Sequence, residues 1–276
     1  MYKLIAIDMD GTLLNDNKEI SDKCQKYFEI LKKKGIKIVL ATGRPLDGVM
    51  PYVEQLGLLD EDEYVVTYNG ALVQSTVNKK ILYNKPLSID SYRELYTVSK
   101  QFGVNIHALT DSSVLTPKKN PYTKIESTIN QIPTIEGPVE DVDASTNIVK
   151  VMFVDDPKKL DEVIPLIPQW IRDKYSILRS ATIFLEFLDK SVNKGVGVSA
   201  IAKQLGIKQE EVICIGDAGN DIAMIEYAGL GVAMGNATDD AKAVADYITL
   251  TNEEDGVAHV IEKFVLNNME NINTKI

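Results

Sequence analysis

The chain has 276 residues, of which 45% are hydrophobic and 25% charged, so it is long enough to form one large core or two modest ones. Its formal net charge of −10 argues against binding to a nucleic-acid backbone, which requires clusters of Lys and Arg. No apolar run approaches the length of a membrane span, and the N-terminus lacks the basic region and long apolar core of a signal peptide. We therefore expect a cytoplasmic protein that binds neither nucleic acid nor membrane.

Strands and helices alternate from the N-terminus onward. The apolar run Leu4–Ile7 predicts a buried strand. A helix follows, because Ser21 can cap it, apolar residues then recur at helical spacing, and Gly35 can end it. A second apolar strand ends at Ala41, a short helix comes next, and a third strand covers Tyr64–Thr67. This alternation predicts a doubly wound, parallel, Rossmann-like α/β core.

The pattern of apolar residues changes after about Leu82. Alternating apolar residues, typical of half-buried antiparallel strands, occur in Val104–Leu115, Asn147–Val154 and Ile177–Leu188, the last with Ser180-Ala181 as a candidate turn. Helical patterns cover Ser91–Phe102 and Lys158–Ile171, and Thr116–Pro138 is expected to be a loop with one short helix. The alternation of apolar strands and helices resumes near Lys194. We predict an α+β domain over residues 84–189, inserted into a core made of residues 1–83 and 190–276.

Two acids follow the first predicted strand, in the pentapeptide Asp8-Met9-Asp10-Gly11-Thr12. Ligands of an open parallel sheet bind at the carboxyl ends of its strands. Two carboxylates aimed at one crevice repel each other unless a cation or a proton lies between them, and Mg²⁺ prefers such oxygen ligands. An ionised Asp in that position can attack phosphorus. The pentapeptide therefore indicates metal-assisted phosphoryl transfer, whereas an ordinary Asp- and Gly-rich turn would predict nothing further along the chain.

Further polar residues stand at other strand ends. Thr42-Gly43-Arg44 follows the second strand, where a hydroxyl and backbone N–H groups can hold phosphate oxygens. Lys194 opens an amphipathic helix, a position that favours an anion. The apolar strand from Val212 to Ile215 leads into Gly216-Asp217-Ala218-Gly219-Asn220-Asp221. Each motif alone is weak, but all four in this order favour a phosphoryl-transfer site over a set of unrelated turns.

The four motifs resemble those of the haloacid dehalogenase-like hydrolases, and within them the Cof-type (class IIB) sugar phosphatases with a large α/β cap. The resemblance covers the whole chain. The turn Tyr68-Asn69-Gly70-Ala71 also matches the family's Asn-Gly-Ala turn after the third core strand. The resemblance implies a Mg²⁺-dependent hydrolase of phosphomonoesters, in which the inserted domain is a cap that determines substrate specificity.

The resemblance also implies roles for individual residues. Asp8 is expected to be the nucleophile, and Asp10 the general acid and base. Mg²⁺ is expected on Asp8, on the backbone carbonyl of Asp10 and on Asp217. Phosphate oxygens would be bound by Met9 and Gly43 through their N–H groups and by Thr42, Lys194 and Asn220 through their side chains. Candidate substrate contacts are Arg44, Asn69 and Glu186, each of which could equally have a structural or surface role.

Asp221 has two readings at this stage. It either supports Lys194 or a metal-bound water, or it caps the helix predicted from Ile222 to Tyr227. Its carboxylate is not assigned as a direct metal ligand.

Two other functions remain open from the sequence. A phosphomutase of the same superfamily would share the first two motifs, and it would return the phosphate to its substrate. A phospho-acceptor or phosphosugar-sensing module would use an acidic pocket without turnover. The expected partner is in every case a small phosphorylated molecule. The sequence leaves the physiological substrate open, as well as the choice between a monomer and a homodimer.

Overall fold

The computed structural model of the protein describes residues 1–44, 46–130 and 132–267. These residues form two compact units. The first unit comprises Met1–Thr42, Met50–Tyr83 and the chain from Asn193 onward. The second comprises Gly43–Val49 and Asn84–Val192.

Fourteen strands and ten α-helices occur in the described residues. The strands are β1 (Leu4–Ile7), β2 (Lys37–Ala41), β3 (Tyr64–Thr67), β4 (Leu72–Ser75), β5 (Ile81–Asn84), β6 (Asn105–Leu109), β7 (Val114–Thr116), β8 (Thr134–Glu136), β9 (Lys150–Val154), β10 (Tyr175–Ala181), β11 (Phe184–Asp189), β12 (Val212–Gly216), β13 (Leu230–Ala233) and β14 (Tyr247–Ile248). The helices are α1 (Asp22–Lys33), α2 (Leu46–Gln55), α3 (Ile89–Phe102), α4 (Pro121–Asn130), α5 (Pro157–Val163), α6 (Gln169–Lys174), α7 (Lys194–Gln204), α8 (Ile222–Tyr227), α9 (Asp239–Val244) and α10 (Gly256–Ile261).

The first unit is built on an eight-stranded sheet in the order β14-β13-β12-β1-β2-β3-β4-β5. The strands from β14 to β3 pair in parallel, with β1 between β2 and β12. All four residues of β1 are fully buried, as expected for a strand covered on both faces. Helix α1 begins as predicted, because the Ser21 hydroxyl accepts a hydrogen bond from the Cys24 N–H at 3.2 Å. The prediction of a doubly wound parallel core is confirmed.

One edge of this sheet was not predicted. Strand β4 runs antiparallel to β3, with Val66 opposite Val73, and β5 lies beyond it. The two strands are only four residues long, and β4 contains the polar residues Gln74 and Ser75, so their apolar pattern is too short to stand out. The parallel sheet therefore carries an antiparallel hairpin at its edge.

The second unit contains a six-stranded sheet in the order β10-β11-β9-β6-β7-β8. All its pairs are antiparallel except β7 with β8. Val151, Phe153 and Phe187 belong to its apolar core, where Leu95 of α3 and Ile171 of α6 are also buried. The predicted antiparallel pairing is present, but β6, β9 and β11 are buried at nearly every position and not half-buried, so both faces of these strands are covered.

Three details of the second unit differ from the sequence prediction. The helix expected over Lys158–Ile171 is two helices, α5 and α6, because Pro165 and Pro168 lack the N–H groups that a continuous helix needs. The turn between β10 and β11 lies at residues 182–183, after Ser180-Ala181. Strand β8 lies in a segment expected to be loop and one helix.

Within residues 1–44, 46–130 and 132–267, no helix combines the length and the apolar character of a membrane span.

Candidate functional site

Three neighbouring strands of the first unit end in polar residues. Asp8 follows β1, Thr42 follows β2, and the loop from Asp217 to Asp221 follows β12. The Asp8 N–H donates to the carbonyl of Ile215 at 3.0 Å, so the parallel pairing of β1 with β12 extends to the nucleophile candidate. Because parallel strands place their carboxyl ends at one edge of the sheet, these residues converge there.

A buried lysine joins two of the acids. Lys194 Nζ lies 2.5 Å from Asp8 Oδ1 and 2.6 Å from Asp221 Oδ1. The Lys194 and Asp221 side chains are fully buried, and that of Asp8 is 8% exposed. Lys194 is the first residue of α7, whose N-cap Asn193 accepts from the Val196 N–H at 2.9 Å. The fold thus fixes the lysine at a helix start, with its ammonium group between two carboxylates.

Burial and charge act against each other on this lysine. Burial alone lowers the pKa of Lys194, but attraction to Asp221 and Asp8 outweighs it, so the pKa lies above its ordinary value. The pKa of Asp8 is raised well above its usual range, first by burial and then by repulsion from Asp221, while Lys194 opposes the shift. The single ammonium group of Lys194 therefore offsets only part of the effect of burial and of the repulsion from Asp221 on the pKa of Asp8.

Asp221 serves the site loop and Lys194 with different oxygens. Its Oδ2 accepts from the N–H groups of Asp217 and Ala218 at 2.9 and 3.0 Å. Its Oδ1 accepts from Lys194. These contacts favour the interpretation in which Asp221 supports Lys194 over the one in which it caps α8, since its oxygens face the preceding loop and not the start of α8. Gly216 is required beside it, because a Cβ there would lie 2.4 Å from the Asp221 Cβ.

Three carboxylates form a candidate cation site. Asp8, Asp217 and Asp221 each offer an oxygen, and the three oxygens lie within 4.8 Å of one another. Asp217 Oδ1 accepts from the Thr12 hydroxyl at 2.9 Å. Burial raises the pKa of Asp217, and the Thr12 hydrogen bond partly offsets the rise. Three acids against one lysine leave excess negative charge among oxygen ligands, which suits a hard divalent cation such as Mg²⁺.

Thr12 and Gly11 show how the first motif reaches this cluster. Both residues belong to the motif, but the sequence pattern predicts a catalytic or binding role for neither. Gly11 has a φ of +85°, and a Cβ on it would lie 2.6 Å from Asp217 Oδ2. The backbone therefore turns directly beside the carboxylate, which explains the need for glycine.

The Asp10 carboxylate has other surroundings. Its side chain is 42% exposed, and Oδ1 lies 2.8 Å from Lys18 Nζ. The structure thus groups Asp8, Asp217 and Asp221, while the carboxyl group of Asp10 pairs with a lysine. The sequence shows no sign of the contact with Lys18. Lys18 lies in a turn with a left-handed φ of +63°, and nothing in its sequence position predicts that this turn brings its side chain to Asp10.

The candidate phosphate-binding residues lie in both units. Met9 and Thr42 are buried in the first. Asn220 Nδ2 donates to Asn69 Oδ1 at 2.9 Å, so the structure brings together two site residues that the sequence analysis had given different roles. Gly43 belongs to the second unit.

Two candidate substrate contacts, Arg44 and Glu186, lie in the second unit. Arg44 donates to the carbonyl of Gly48 at 3.4 Å. Glu186 is buried, and its Oε1 accepts from Lys150 Nζ at 2.6 Å and from the Ser180 hydroxyl at 2.7 Å. Its Oε2 finds no hydrogen-bond partner among the residues that the structure describes. Burial tends to lower the pKa of Lys150, but Glu186 and Glu126 together raise it.

Comparisons with known proteins give one consistent result. A family model described as haloacid dehalogenase-like hydrolase matches residues 5–261. YxeH of Bacillus subtilis, which is named as a phosphatase, is 44% identical over 96% of this chain and 99% of its own. A haloacid dehalogenase-like hydrolase from Bacteroides thetaiotaomicron aligns with a TM-score of 0.82 and 34% identity, over 95% of this chain and 99% of that one. The subclass IIB sugar phosphatase BT4131 aligns with a TM-score of 0.75 and 28% identity, over 95% and 98% of the two chains.

Proposed function

Because the chain belongs to the haloacid dehalogenase-like hydrolases and is a phosphatase, we propose that it hydrolyses small phosphorylated metabolites with Mg²⁺, through an aspartyl-phosphate on Asp8. The observation that carries this proposal is the buried contact of Lys194 with both Asp8 and Asp221, beside Asp217. It supplies a carboxylate nucleophile, a fixed positive charge and a set of oxygen ligands in one place. The remaining steps follow from what each side chain can do there.

Asp8 performs the first chemical step. Its carboxylate oxygen attacks phosphorus, and the bond between phosphorus and the leaving-group oxygen breaks. Asp8, the Asp10 carbonyl and Asp217 would hold Mg²⁺, which when bound neutralises charge on the transferring phosphoryl group. Lys194 pairs with the phosphate as well as with Asp8, because its ammonium group lies at the nucleophile.

Asp10 moves the protons. It gives its proton to the leaving-group oxygen in the first step. In the second step the ionised Asp10 takes a proton from water, whose oxygen attacks the aspartyl-phosphate and releases inorganic phosphate and Asp8. The exposure of Asp10 suits exchange with water and substrate, and this role requires the exposed pair with Lys18 to open.

Phosphate oxygens would be bound by groups at the strand ends. These are the N–H groups of Met9 and Gly43, the Thr42 hydroxyl, the Lys194 ammonium group and the Asn220 amide. Positive charge and N–H donors, placed before the reaction, stabilise the charge that develops on the phosphoryl oxygens.

The second unit would act as the cap and select the leaving group. We assign sugar phosphates as the substrate class, because BT4131 is a sugar phosphatase with the same fold. Glu186 is a candidate substrate contact in this unit, since its buried Oε2 has no hydrogen-bond partner among the described residues. Arg44 is the second candidate there. The net charge of −10 also favours small mobile metabolites over anionic polymers.

The test is a panel of phosphomonoesters that includes sugar phosphates, nucleotides, pyridoxal phosphate and phosphoamino acids. Phosphate release is measured with Mg²⁺ and with EDTA, and the Asp8→Asn variant is the control. We expect Mg²⁺-dependent release from several members, sugar phosphates foremost. Isomerised product without phosphate would indicate a mutase, and binding without turnover would indicate a sensor. Release from nucleotides alone would exclude sugar phosphates as the substrate class, but it would leave the proposed phosphatase mechanism unchanged.

A further inference from the structure

Three consecutive residues adopt a left-handed backbone directly after β3. The φ angles of Tyr68, Asn69 and Gly70 are +49°, +55° and +97°. Glycine adopts this conformation readily and asparagine is enriched in it, but a bulky aromatic residue there is strained. Tyr68 is 2% exposed, so the surrounding packing holds the strained turn. Strain of this kind points to a group whose placement depends on the turn.

The turn contacts each of three segments that carry proposed phosphate-binding side chains. The Asn69 N–H donates to the carbonyl of Thr42 at 2.9 Å. Asn69 Oδ1 accepts from Asn220 Nδ2 at the same distance of 2.9 Å. Gly70 packs against the start of α7, where a Cβ would lie 2.0 Å from the Asn193 carbonyl oxygen and 3.1 Å from the Lys194 nitrogen. One short turn therefore links the segments of Thr42, Asn220 and Lys194.

We propose that Asn69 is a positioning residue that orients the Asn220 amide toward phosphate, an inference that rests on the proposed function. An amide carries two N–H donors on nitrogen and an acceptor oxygen, and only the donors attract an anion. Asn69 Oδ1 takes one N–H of Asn220, which leaves the other free for a phosphate oxygen. Without this acceptor, the Asn220 amide could rotate and present its oxygen to the phosphate. Asn69, which is 5% exposed, thus acts on the phosphate through Asn220.

The variant Asn69→Gly isolates this role. Glycine keeps the left-handed backbone and the N–H that bonds Thr42, so the variant removes only the side-chain amide. Lys79→Gly is the matched control, since Lys79 also has a positive φ, +57°, and lies in the turn between β4 and β5. Melting temperatures are measured for both variants. A collapse of the melting temperature in Asn69→Gly alone would show that the amide serves the fold, and it would overturn the proposal.

The decisive measurement is a double-mutant cycle with Asn220→Ala. Calorimetric Kd values for orthovanadate and inorganic phosphate are measured with Mg²⁺, together with kcat/KM for p-nitrophenyl phosphate and a sugar phosphate. We expect Asn69→Gly to weaken anion binding about tenfold, and to change it by less than about twofold when Asn220 is already alanine. Both substrates should lose kcat/KM by the same factor, because the effect is on phosphate.

Other outcomes separate this proposal from the proposed function. Additive losses in the double variant would show that Asn69 acts independently of Asn220, and a loss restricted to the sugar phosphate would make it a leaving-group contact. Either result overturns the positioning role. If the wild-type protein binds orthovanadate and the double-mutant cycle shows the expected coupling, but no ester is hydrolysed, the proposed hydrolase activity is refuted and the role of Asn69 remains. A protein that binds neither anion refutes both.

Discussion

The carboxyl groups of Asp8 and Asp10 lie in opposite surroundings, although a single residue separates them. The Asp8 side chain is 8% exposed and contacts Lys194, whereas that of Asp10 is 42% exposed and contacts Lys18. Desolvation strengthens charge interactions at Asp8, while solvent screens those at Asp10. Two identical side chains can therefore have different chemical roles, and two substitutions separate those roles.

We expect Asp8→Asn to reduce turnover to background on every substrate, because an amide cannot attack phosphorus. The variant should fold, since asparagine has nearly the same shape and removes repulsion from Asp221. Initial rates check the loss, and a labelled substrate checks its cause. Wild-type protein should give a hydroxylamine-labile phosphoprotein that Asp8→Asn does not form. Equal labelling of the two proteins would assign the nucleophile to another residue.

For Asp10→Asn, the loss should depend on the leaving group. A sugar alkoxide needs a proton as it departs, so kcat/KM, which reports the first step and not the shared hydrolysis of the aspartyl-phosphate, should fall by about 10²–10⁴-fold on a sugar phosphate. The loss of kcat/KM should be much smaller with p-nitrophenyl phosphate, whose leaving group is stable as an anion. The ratio of the two kcat/KM values is the measurement, with Lys18→Met as a control that keeps Asp10. Equal losses on both substrates would show that Asp10 is not the acid.

Mg²⁺ should stabilise the protein as well as activate it. Binding of Mg²⁺ to Asp8 and Asp217, beside Asp221, relieves the repulsion among these three carboxylates, and a ligand at a hundredfold excess over Kd adds about 2.7 kcal/mol. We therefore expect the melting temperature to rise by about 5 °C, and EDTA to reverse the rise. Asp217→Asn should reduce the shift, while Asp111→Asn, on an exposed acid of the second unit, should preserve it. An unchanged shift in Asp217→Asn would place the cation elsewhere.

A buried acid away from these motifs makes stability depend on pH. Glu63 is 4% exposed, and burial raises its pKa to about 7, with Lys37 opposing the shift from 3.8 Å. The folded state binds the Glu63 proton more tightly than the unfolded state does, so the protonated carboxyl group stabilises the fold. This stabilisation is fully present below the pKa of 4.5 in the unfolded chain, and it is lost as the pH rises through the folded pKa of about 7. As the pH rises from 5 to 8, the unfolding free energy of Glu63→Gln should therefore increase by about 2–3 kcal/mol relative to that of the wild type.

Urea unfolding at several pH values measures this difference. Glu61→Gln is the control, because Glu61 is exposed two residues earlier in the same segment. A pH-independent difference between Glu63→Gln and wild type would show that Glu63 ionises at its ordinary pKa.

The convergence of the main acids follows from sequence reasoning, whereas the partners of two residues do not. Asp8 and Asp217 each end an apolar strand, and the parallel topology requires neighbouring strand ends to meet. The contacts of Asp10 with Lys18 and of Asn69 with Asn220 depend on turns with positive φ. Propensity does not foresee such turns for a lysine or a tyrosine.

The fold was predictable to a similar degree. Long apolar runs such as β1 and β12 identify the core, because strands buried on both faces carry a continuous signal. The hairpin of β4 and β5 is too short to give one. In the second unit, the helical spacing over Lys158–Ile171 masked the effect of Pro165 and Pro168, although both prolines were visible in the sequence.

The pairing of β1 also has a consequence for how the chain folds during synthesis. Leu4 pairs with Lys37 on one side and with Val212 on the other, so the central strand of the larger sheet gains its second neighbour only when most of the chain has left the ribosome. Until then a wholly apolar strand has an open edge, which is a template for aggregation. Pairings between such distant residues also slow folding. A chain that stops before residue 212 should therefore aggregate, although it contains the first two motifs and Lys194.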